Sequence, residues 1–342
     1  MRFETRVPAK VNLSLLVGPR RADGYHELFS VFLPIDLYDR LEFDLQARSA
    51  AEGPGALRLY CESVPGESNL AARALRSLER ATGWVFDGFV HISKGIPVGA
   101  GLGGGSADAA AALSAGTRVI AAVGGPPVDD ERLRSLAVEI GADVPFFLKP
   151  APCFARGIGD VLEPLELPPL PLILIFHREQ LSTAVVYEEF DRIIAGLPGG
   201  TADRPPPKEA TRAEDHTQAF ENRSTEFEER WRALAGRWKA ERRPSDQIVP
   251  QPGRVGPYSD RTPFRLKELL QNDLEKASFR LMRGLRRDKD ILLKSGALGA
   301  VMSGSGPTLL GVCRTRPEAD ALVEQLSQRG YRVRSVNGGI LP

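Results

Sequence analysis

Lys94-Gly95-Ile96-Pro97-Val98-Gly99-Ala100-Gly101-Leu102-Gly103-Gly104-Gly105-Ser106-Ala107-Asp108 is the stretch that decides how this chain is read. Before it, Phe89-Val90-His91-Ile92-Ser93 alternates apolar and polar positions and predicts a strand; after it, Ala109 to Val123 has the composition of a helix. A glycine-packed loop feeding a helix start offers unpaired backbone N–H groups and the positive end of a helix dipole. That combination is an anion site, and phosphate is the usual anion.

Two familiar phosphate loops fail on context. Gly99, Gly101 and Gly104 satisfy G-x-G-x-x-G, but a dinucleotide fold needs the strand to run straight into the first glycine and an acidic residue about 20 positions later. Here Lys94-Gly95-Ile96-Pro97 intervenes, and the later position falls in Val123-Gly124-Gly125-Pro126. A Walker loop fails because no Gly-Lys-Ser/Thr closes the stretch. A tight glycine turn without a ligand remains an alternative on the loop alone.

The phrase from Pro97 to Ser106 resembles the nucleotide loop of the GHMP small-molecule kinases. Three further stretches sharpen the likeness: Pro8-Ala9-Lys10-Val11-Asn12-Leu13, Arg21-Ala22-Asp23-Gly24-Tyr25-His26-Glu27-Leu28 and Gly141-Ala142-Asp143-Val144-Pro145-Phe146-Phe147. Together they resemble the GHMP family that phosphorylates the 2-hydroxyl of 4-diphosphocytidyl-2-C-methyl-D-erythritol in isoprenoid precursor synthesis. The match spans nearly all of the chain except a central insertion, and the block from Arg21 to His26 is far more specific than the glycine loop.

The resemblance implies an α+β, two-domain fold: an N-terminal domain of the ribosomal-protein-S5-like type and a ferredoxin-like C-terminal domain. It implies ATP with Mg²⁺ as cofactors, the nucleotide held by Pro97, Val98, Gly99, Ala100, Gly101, Leu102, Gly103, Gly104, Gly105, Ser106 and Ala107. It implies Lys10 and Asp143 as catalytic residues, the lysine beside the reacting hydroxyl and the aspartate as general base. Asn12 is implied to contact the substrate, Tyr25 to stack on its cytosine, His26 to read the polar edge of that base, and Thr183 and Tyr187 to supply a second ring nearby. The chain departs from the family pattern just upstream, at His177-Arg178-Glu179-Gln180, which bears on the register of Thr183 and Tyr187.

Read without the family, most of these residues have plainer roles. Lys10 and Asn12 share one face of a strand, where a lysine is usually solvated. Asp23-Gly24 is an ordinary turn signal, although a turn alone does not explain Tyr25-His26, a stacking ring beside a directional imidazole. Ser106 could cap the helix or meet a phosphate oxygen or a Mg²⁺ ion. Asp143, set among apolar residues, needs partners or its pKa rises; backbone hydrogen bonds at a helix end would suffice.

The chain has 342 residues, 45 basic and 44 acidic, and a formal charge of +1, so bulk electrostatics recruits neither nucleic acid nor an anionic membrane. Cys61, Cys153 and Cys313 are odd in number and widely spaced, which suggests neither a disulfide framework nor a zinc site. No metal ligand is singled out. The start of the chain makes a poor signal peptide and the longest apolar run, Leu170 to Phe176, is strand-sized, so a cytoplasmic protein is expected, as a monomer or weak homodimer.

In chain order, Arg2 to Asp44 predicts a strand, a turn and a longer strand pair, with turn signals at Gly18-Pro19 and Asp23-Gly24. Ser68 is the expected cap of a helix running to Thr82, and Asp129 or Asp130 of one ending at Gly141. A domain boundary is expected at 168/169. Beyond it, strand Leu172–Phe176, helix Thr183–Leu197, a helix before Ala297, strands Ala297–Met302 and Thr308–Cys313, helix Pro317–Arg329 and strand Tyr331–Val336 give a β-α-β-β-α-β order. Ser303-Gly304-Ser305-Gly306 is a second glycine loop, either a tight hairpin or, by the resemblance, a loop closing over the active site. The insertion at about 198–263 has linker-like ends around a charged helix with an apolar stripe of Phe220, Phe227, Trp231, Leu234 and Trp238, which such spacing usually packs against its own domain. Two rival functions remain on these residues: a GHMP kinase for mevalonate, homoserine or a sugar, and a non-catalytic nucleotide-binding sensor.

Overall fold

The computed structural model describes residues 1–196, 211–241 and 266–339. The ends of the insertion expected to be linkers lie outside the described residues. By packing, the chain forms two compact units: one of residues 1–10, 36–98 and 103–150, the other of residues 11–35, 99–102 and 151–342. The long strands β1 (Arg2–Arg20) and β2 (His26–Ser49) contribute residues to both.

In the first unit, β2 pairs antiparallel with β4 (Trp84–Ser93), and β3 (Leu57–Tyr60) lies parallel to β4. Helix α1 (Leu70–Thr82) is capped by Asn69, whose side chain accepts the Ala71 N–H, one residue later than expected. The helix ends at left-handed Gly83 and buries Ala71, Ala74, Leu75 and Leu78. That face packs on α2 (Gly104–Ala122), where Gly116 permits the approach: a Cβ there would lie 2.6 Å from Leu78. α3 (Asp130–Ile140) starts at Asp129, which accepts the Arg132 N–H, and stops at Gly141 as expected; α4 (Val144–Leu148) follows at once.

A buried ion cluster anchors the loop ahead of α2. Asp39 Oδ1 accepts the Gly95 and Ile96 N–H groups at 2.7 and 2.8 Å, while Lys94 Nζ bonds both Asp39 and Asp108, the latter at 2.7 Å. One ammonium serves two carboxylates. Burial, opposed by Lys94 and aided by Asp39, pushes the Asp108 carboxyl up to about 7.

In the second unit, β7 (Leu170–Phe176), β8 (Gly299–Met302), β9 (Leu309–Val312) and β10 (Arg332–Gly338) form an antiparallel sheet in the order β10-β7-β9-β8. Helices α5 (Thr183–Ile194), α7 (Leu266–Leu269), α8 (Glu275–Leu281), α9 (Gly284–Lys294) and α10 (Arg316–Gln328) complete the expected ferredoxin-like order. Its core joins Ile173, Ile175, Val186, Phe190, Leu285, Leu309 and Leu326. The hairpin β5 (Cys153–Gly157) and β6 (Val161–Pro164) pairs with β2. Among the described residues no helix is long and apolar enough to cross a membrane.

One expectation about the early chain changes. Gly18-Pro19 is not a turn: β1 continues to Arg20, and the reversal falls at residues 21–25, where Gly24 has φ +88°. Gly18 is needed for another reason, because the Phe220 ring lies 2.9 Å from where its Cβ would stand. Phe220 belongs to α6 (Thr211–Glu241), the helix of the insertion, and its stripe faces inward: Phe220, Phe227, Trp231 and Leu234 are buried. Ion pairs of Arg223 with Asp273 and of Glu228 with Arg156 flank it.

Gly101 approaches the second glycine loop with φ +73°, its Cβ position 2.5 Å from the Ser303 carbonyl oxygen. Gly101→Ala therefore meets both a disfavoured backbone and a backbone collision, and a loss of about 1–3 kcal/mol in denaturant unfolding is expected; wild-type stability would show that the loop yields freely. Asp108 gives a pH signature. Its folded value of about 7 lies above the ordinary 3.8, so the stabilisation from its bound proton is complete below about pH 4 and lost as pH rises to about 7. Asp108→Asn should lose less stability across that window; parallel curves would mean the carboxyl is ionised throughout.

Candidate active site

The first unit brings Lys10 and Asp143 together beside the start of α2. Lys10 Nζ lies 3.2 Å from Asp143 Oδ2, with the lysine side chain 5% and the aspartate side chain 32% exposed. Lys10 is thus not the solvated strand lysine that spacing alone would suggest. Asp143 stands at the N-cap position of α4 but makes no capping hydrogen bond with its side chain, so the backbone alternative does not hold for it. The lysine also packs on the glycine loop: a Cβ at Gly103 would lie 3.2 Å from Lys10 Cγ and 2.7 Å from the Phe147 ring. Only glycine leaves that space, and Gly103 has φ +72° besides.

Gly103 is the N-cap of α2, with no side-chain capping bond, and the helix opens with Gly104, Gly105 and Ser106. Ser106 is therefore the third residue of the helix and not its cap. The N–H groups of this first turn point out of the helix without i−4 partners, which is the donor set a phosphate requires. Pro97, Val98, Gly99, Ala100, Gly101 and Leu102 form the approach to this turn, and Ala107 N–H begins the helical ladder by bonding the Gly103 carbonyl at 2.9 Å. Among the described residues no group of three or more His, Cys, Asp or Glu is placed to hold a metal ion.

The second unit gathers the residues expected around the base. Tyr25 is 58% exposed at the β1–β2 turn. His26 is buried, its Nδ1 3.0 Å from the Gly18 carbonyl and its Nε2 3.2 Å from Asp191 Oδ1. The carbonyl can only accept, so Nδ1 carries a hydrogen and Nε2 is the nitrogen that faces Asp191. The Tyr187 ring is tilted 30° against the imidazole at 5.2 Å, and Phe190 meets it edge-on at 5.9 Å. The register after His177-Arg178-Glu179-Gln180 thus brings Tyr187 to His26. Thr183 Oγ1 lies 2.9 Å from Ser305 Oγ of the second glycine loop.

Asn12 is buried with Nδ2 donating to Ser30 Oγ at 2.8 Å and its backbone N–H to Ser303 Oγ at 3.3 Å. Ser303 Oγ in turn donates to the Gly101 carbonyl at 2.9 Å. The second glycine loop is therefore bonded to the first. Asn272 secures it, donating to the Met302 and Gly304 carbonyls at 2.8 and 2.7 Å.

Four participants escaped the sequence reading. Asp191 was legible in principle, since it follows Tyr187 by four residues and so shares its face of α5. Asn272, Asp39 and His216 carry no local signal. His216 of α6 is held below the ordinary histidine value by burial first and by neighbouring His26 next, and it bonds the Val17 backbone.

Residues 69–149 match the family model described as GHMP kinases N terminal domain, and residues 264–332 that described as GHMP kinases C terminal. A 4-diphosphocytidyl-2-C-methyl-D-erythritol kinase of Anaeromyxobacter sp. (strain K) is 36% identical over 91% of this chain and 81% of its own length. The crystal structure of a 4-(cytidine 5'-diphospho)-2C-methyl-D-erythritol kinase is 31% identical, covers 99% of this chain and 100% of its own, and superposes with a TM-score of 0.63. A mevalonate kinase of L. major in complex with R-mevalonate reaches a TM-score of 0.62 at 16% identity over 98% of this chain and 95% of its own, a likeness of fold alone. With its glycine loop, its Lys10–Asp143 pair and relatives at this level over most of its length, the chain belongs to the 4-diphosphocytidyl-2-C-methyl-D-erythritol kinase family of the GHMP kinases.

Proposed function

We propose that this protein transfers the γ-phosphoryl group of ATP to the 2-hydroxyl of 4-diphosphocytidyl-2-C-methyl-D-erythritol, giving the 2-phosphate and ADP. The observation that carries the reading is the Lys10–Asp143 pair packed on Gly103 at the N-terminus of α2. A proton acceptor, a cation and a phosphate-binding helix start belong to one unit, and phosphoryl transfer asks the protein for little beyond alignment, charge and removal of one proton.

In this mechanism the first-turn N–H groups of α2 hold the phosphates, with residues 97–107 as the nucleotide loop. Asp143 takes the proton of the 2-hydroxyl as that oxygen bonds to the γ-phosphorus and the bond to the ADP oxygen breaks. Lys10, 3.2 Å from the carboxylate, holds Asp143 in place and offsets the charge growing on the attacking oxygen. Mg²⁺, when bound with ATP, neutralises phosphate charge, and the Ser106 hydroxyl is the loop side chain suited to holding it.

Tyr25 stacks on the cytosine, Tyr187 supplies the second ring, and Asn12 and Thr183 bind the remainder of the substrate. His26 reads the base through Nε2, where the base takes the place now held by Asp191. In chain order, residues 1–168 form the nucleotide-binding and catalytic domain and residues 169–342 the ferredoxin-like domain. The enzyme acts in the cytoplasm as a monomer or weak homodimer, with no nucleic-acid or membrane partner.

The first test is ADP release with ATP and Mg²⁺, comparing the cytidyl substrate with methylerythritol phosphate lacking the cytidyl group. Turnover with the cytidyl compound alone is expected; turnover with neither, despite measurable ATP binding, would move the assignment to another alcohol or to a sensor. Asp143→Asn should lower kcat by about 10²–10⁴-fold with nucleotide affinity retained. Lys10→Ala should do the same. Wild-type rates in either variant would sink the assigned roles.

A further inference from the structure

Helix α6 lies between the two segments that match the family models, residues 69–149 and 264–332. Its inner face does more than cover apolar surface. Trp231 is fully buried, and its indole N–H donates to Ser14 Oγ at 2.9 Å. Ser14 spends its own hydroxyl hydrogen on the Leu269 carbonyl. Its backbone carbonyl accepts from Ser30 Oγ, and Ser30, with its one hydrogen committed, accepts from Asn12 Nδ2 at 2.8 Å. The indole and the two hydroxyls have one hydrogen each, so the direction of their bonds is fixed, and the Asn12 amide must be the donor to Ser30. The consequence falls on Asn12: its amide nitrogen is held inward, and Oδ1 faces Gly304, 3.6 Å from where a Cβ there would stand.

A second arm from α6 reaches the same strand. Arg223 grips Asp273 with both terminal nitrogens, at 3.1 and 2.8 Å. Asp273 accepts the Val17 N–H at 3.0 Å and donates its own N–H to the Leu15 carbonyl at 2.9 Å. Residues 14–17 of β1 are thus held from α6 by an indole and a guanidinium, and Asn12 lies two positions before them.

We propose that α6 is a positioning element for the acceptor side of the site, acting through Trp231 on Ser14 and through Arg223 on Asp273 to set the orientation of Asn12. A helix that served only as cover would need Phe220, Phe227 and Leu234 but neither the indole N–H nor the bidentate arginine. The inference rests on the reading that Asn12 binds the phosphoryl acceptor.

The test compares the full-length wild type with Trp231→Phe, which keeps a ring and removes the N–H, and with Ser30→Ala, which removes the partner of Asn12 directly. Both variants should raise KM for the cytidyl alcohol by about fivefold and leave KM for ATP within about twofold. The double variant should be no worse than Ser30→Ala alone, because both changes act on one series of bonds. Wild-type acceptor KM in Trp231→Phe, equal rises in both KM values, or full additivity would each overturn the proposal. Should Trp231→Phe not fold, Arg223→Gln, which leaves the buried ring in place, serves in the same comparison. If the wild type does not phosphorylate the cytidyl alcohol, the functional reading is what has failed. Positioning is then read from solvent exchange of the Asn12 side-chain amide by NMR: slow in the wild type and faster in Trp231→Phe if α6 orients it, equal in both if it does not.

Discussion

A lysine ammonium that is almost wholly out of water must have a counter-charge, and Lys10 has one in Asp143. That requirement organises the first unit. Asp143 stands two residues beyond Gly141, where α3 ends, and from there meets Lys10 of β1. The pairing also requires glycine at 103, since the lysine stem and Phe147 fill the space where a side chain would begin. The start of α2 carries no side chain of its own at Gly103, Gly104 and Gly105, which leaves its first-turn N–H groups suited to an anion. Beneath it, Asp39 grips the backbone of Gly95 and Ile96, so the loop is held from below by a carboxylate while its upper donors remain available.

In the second unit the controlling element is the pair of bonded loops. Ser303 joins the backbone of Asn12 to the carbonyl of Gly101, and Asn272 pins the loop that carries it. A glycine of the candidate nucleotide loop and a candidate substrate residue thereby share one serine.

Much of this fold was legible in the sequence because it rests on local signals. The caps at Asp129, Gly83 and Gly141 and the β-α-β-β-α-β order of the later chain need only periodicity and breakers to be seen. Asn69 took the cap expected of Ser68 because either side chain can serve and only the approach of the chain chooses between them. Gly18-Pro19 misled because a glycine required for close packing against Phe220 looks the same in sequence as one required for a turn. At the site, motifs announced Lys10, Asp143 and the glycine loop, but nothing in one dimension pairs Lys94 with two carboxylates, or Ser14 with a tryptophan 217 residues away. Such partners are set by tertiary packing alone. The stripe on α6 showed which face is buried, and it could not show that the face also carries hydrogen bonds.

Thr183, Tyr187 and Asp191 occupy successive turns of α5; the first meets Ser305 and the other two meet His26, Tyr187 against its ring and Asp191 at its Nε2. A helix is stiff over so short a span, so these three contacts share one rigid carrier. Their geometry cannot be tuned residue by residue. A slight roll of α5 about its axis would swing all three side chains the same way at once, so what seats the helix, Val186 and Phe190 in the core, sets all three contacts together.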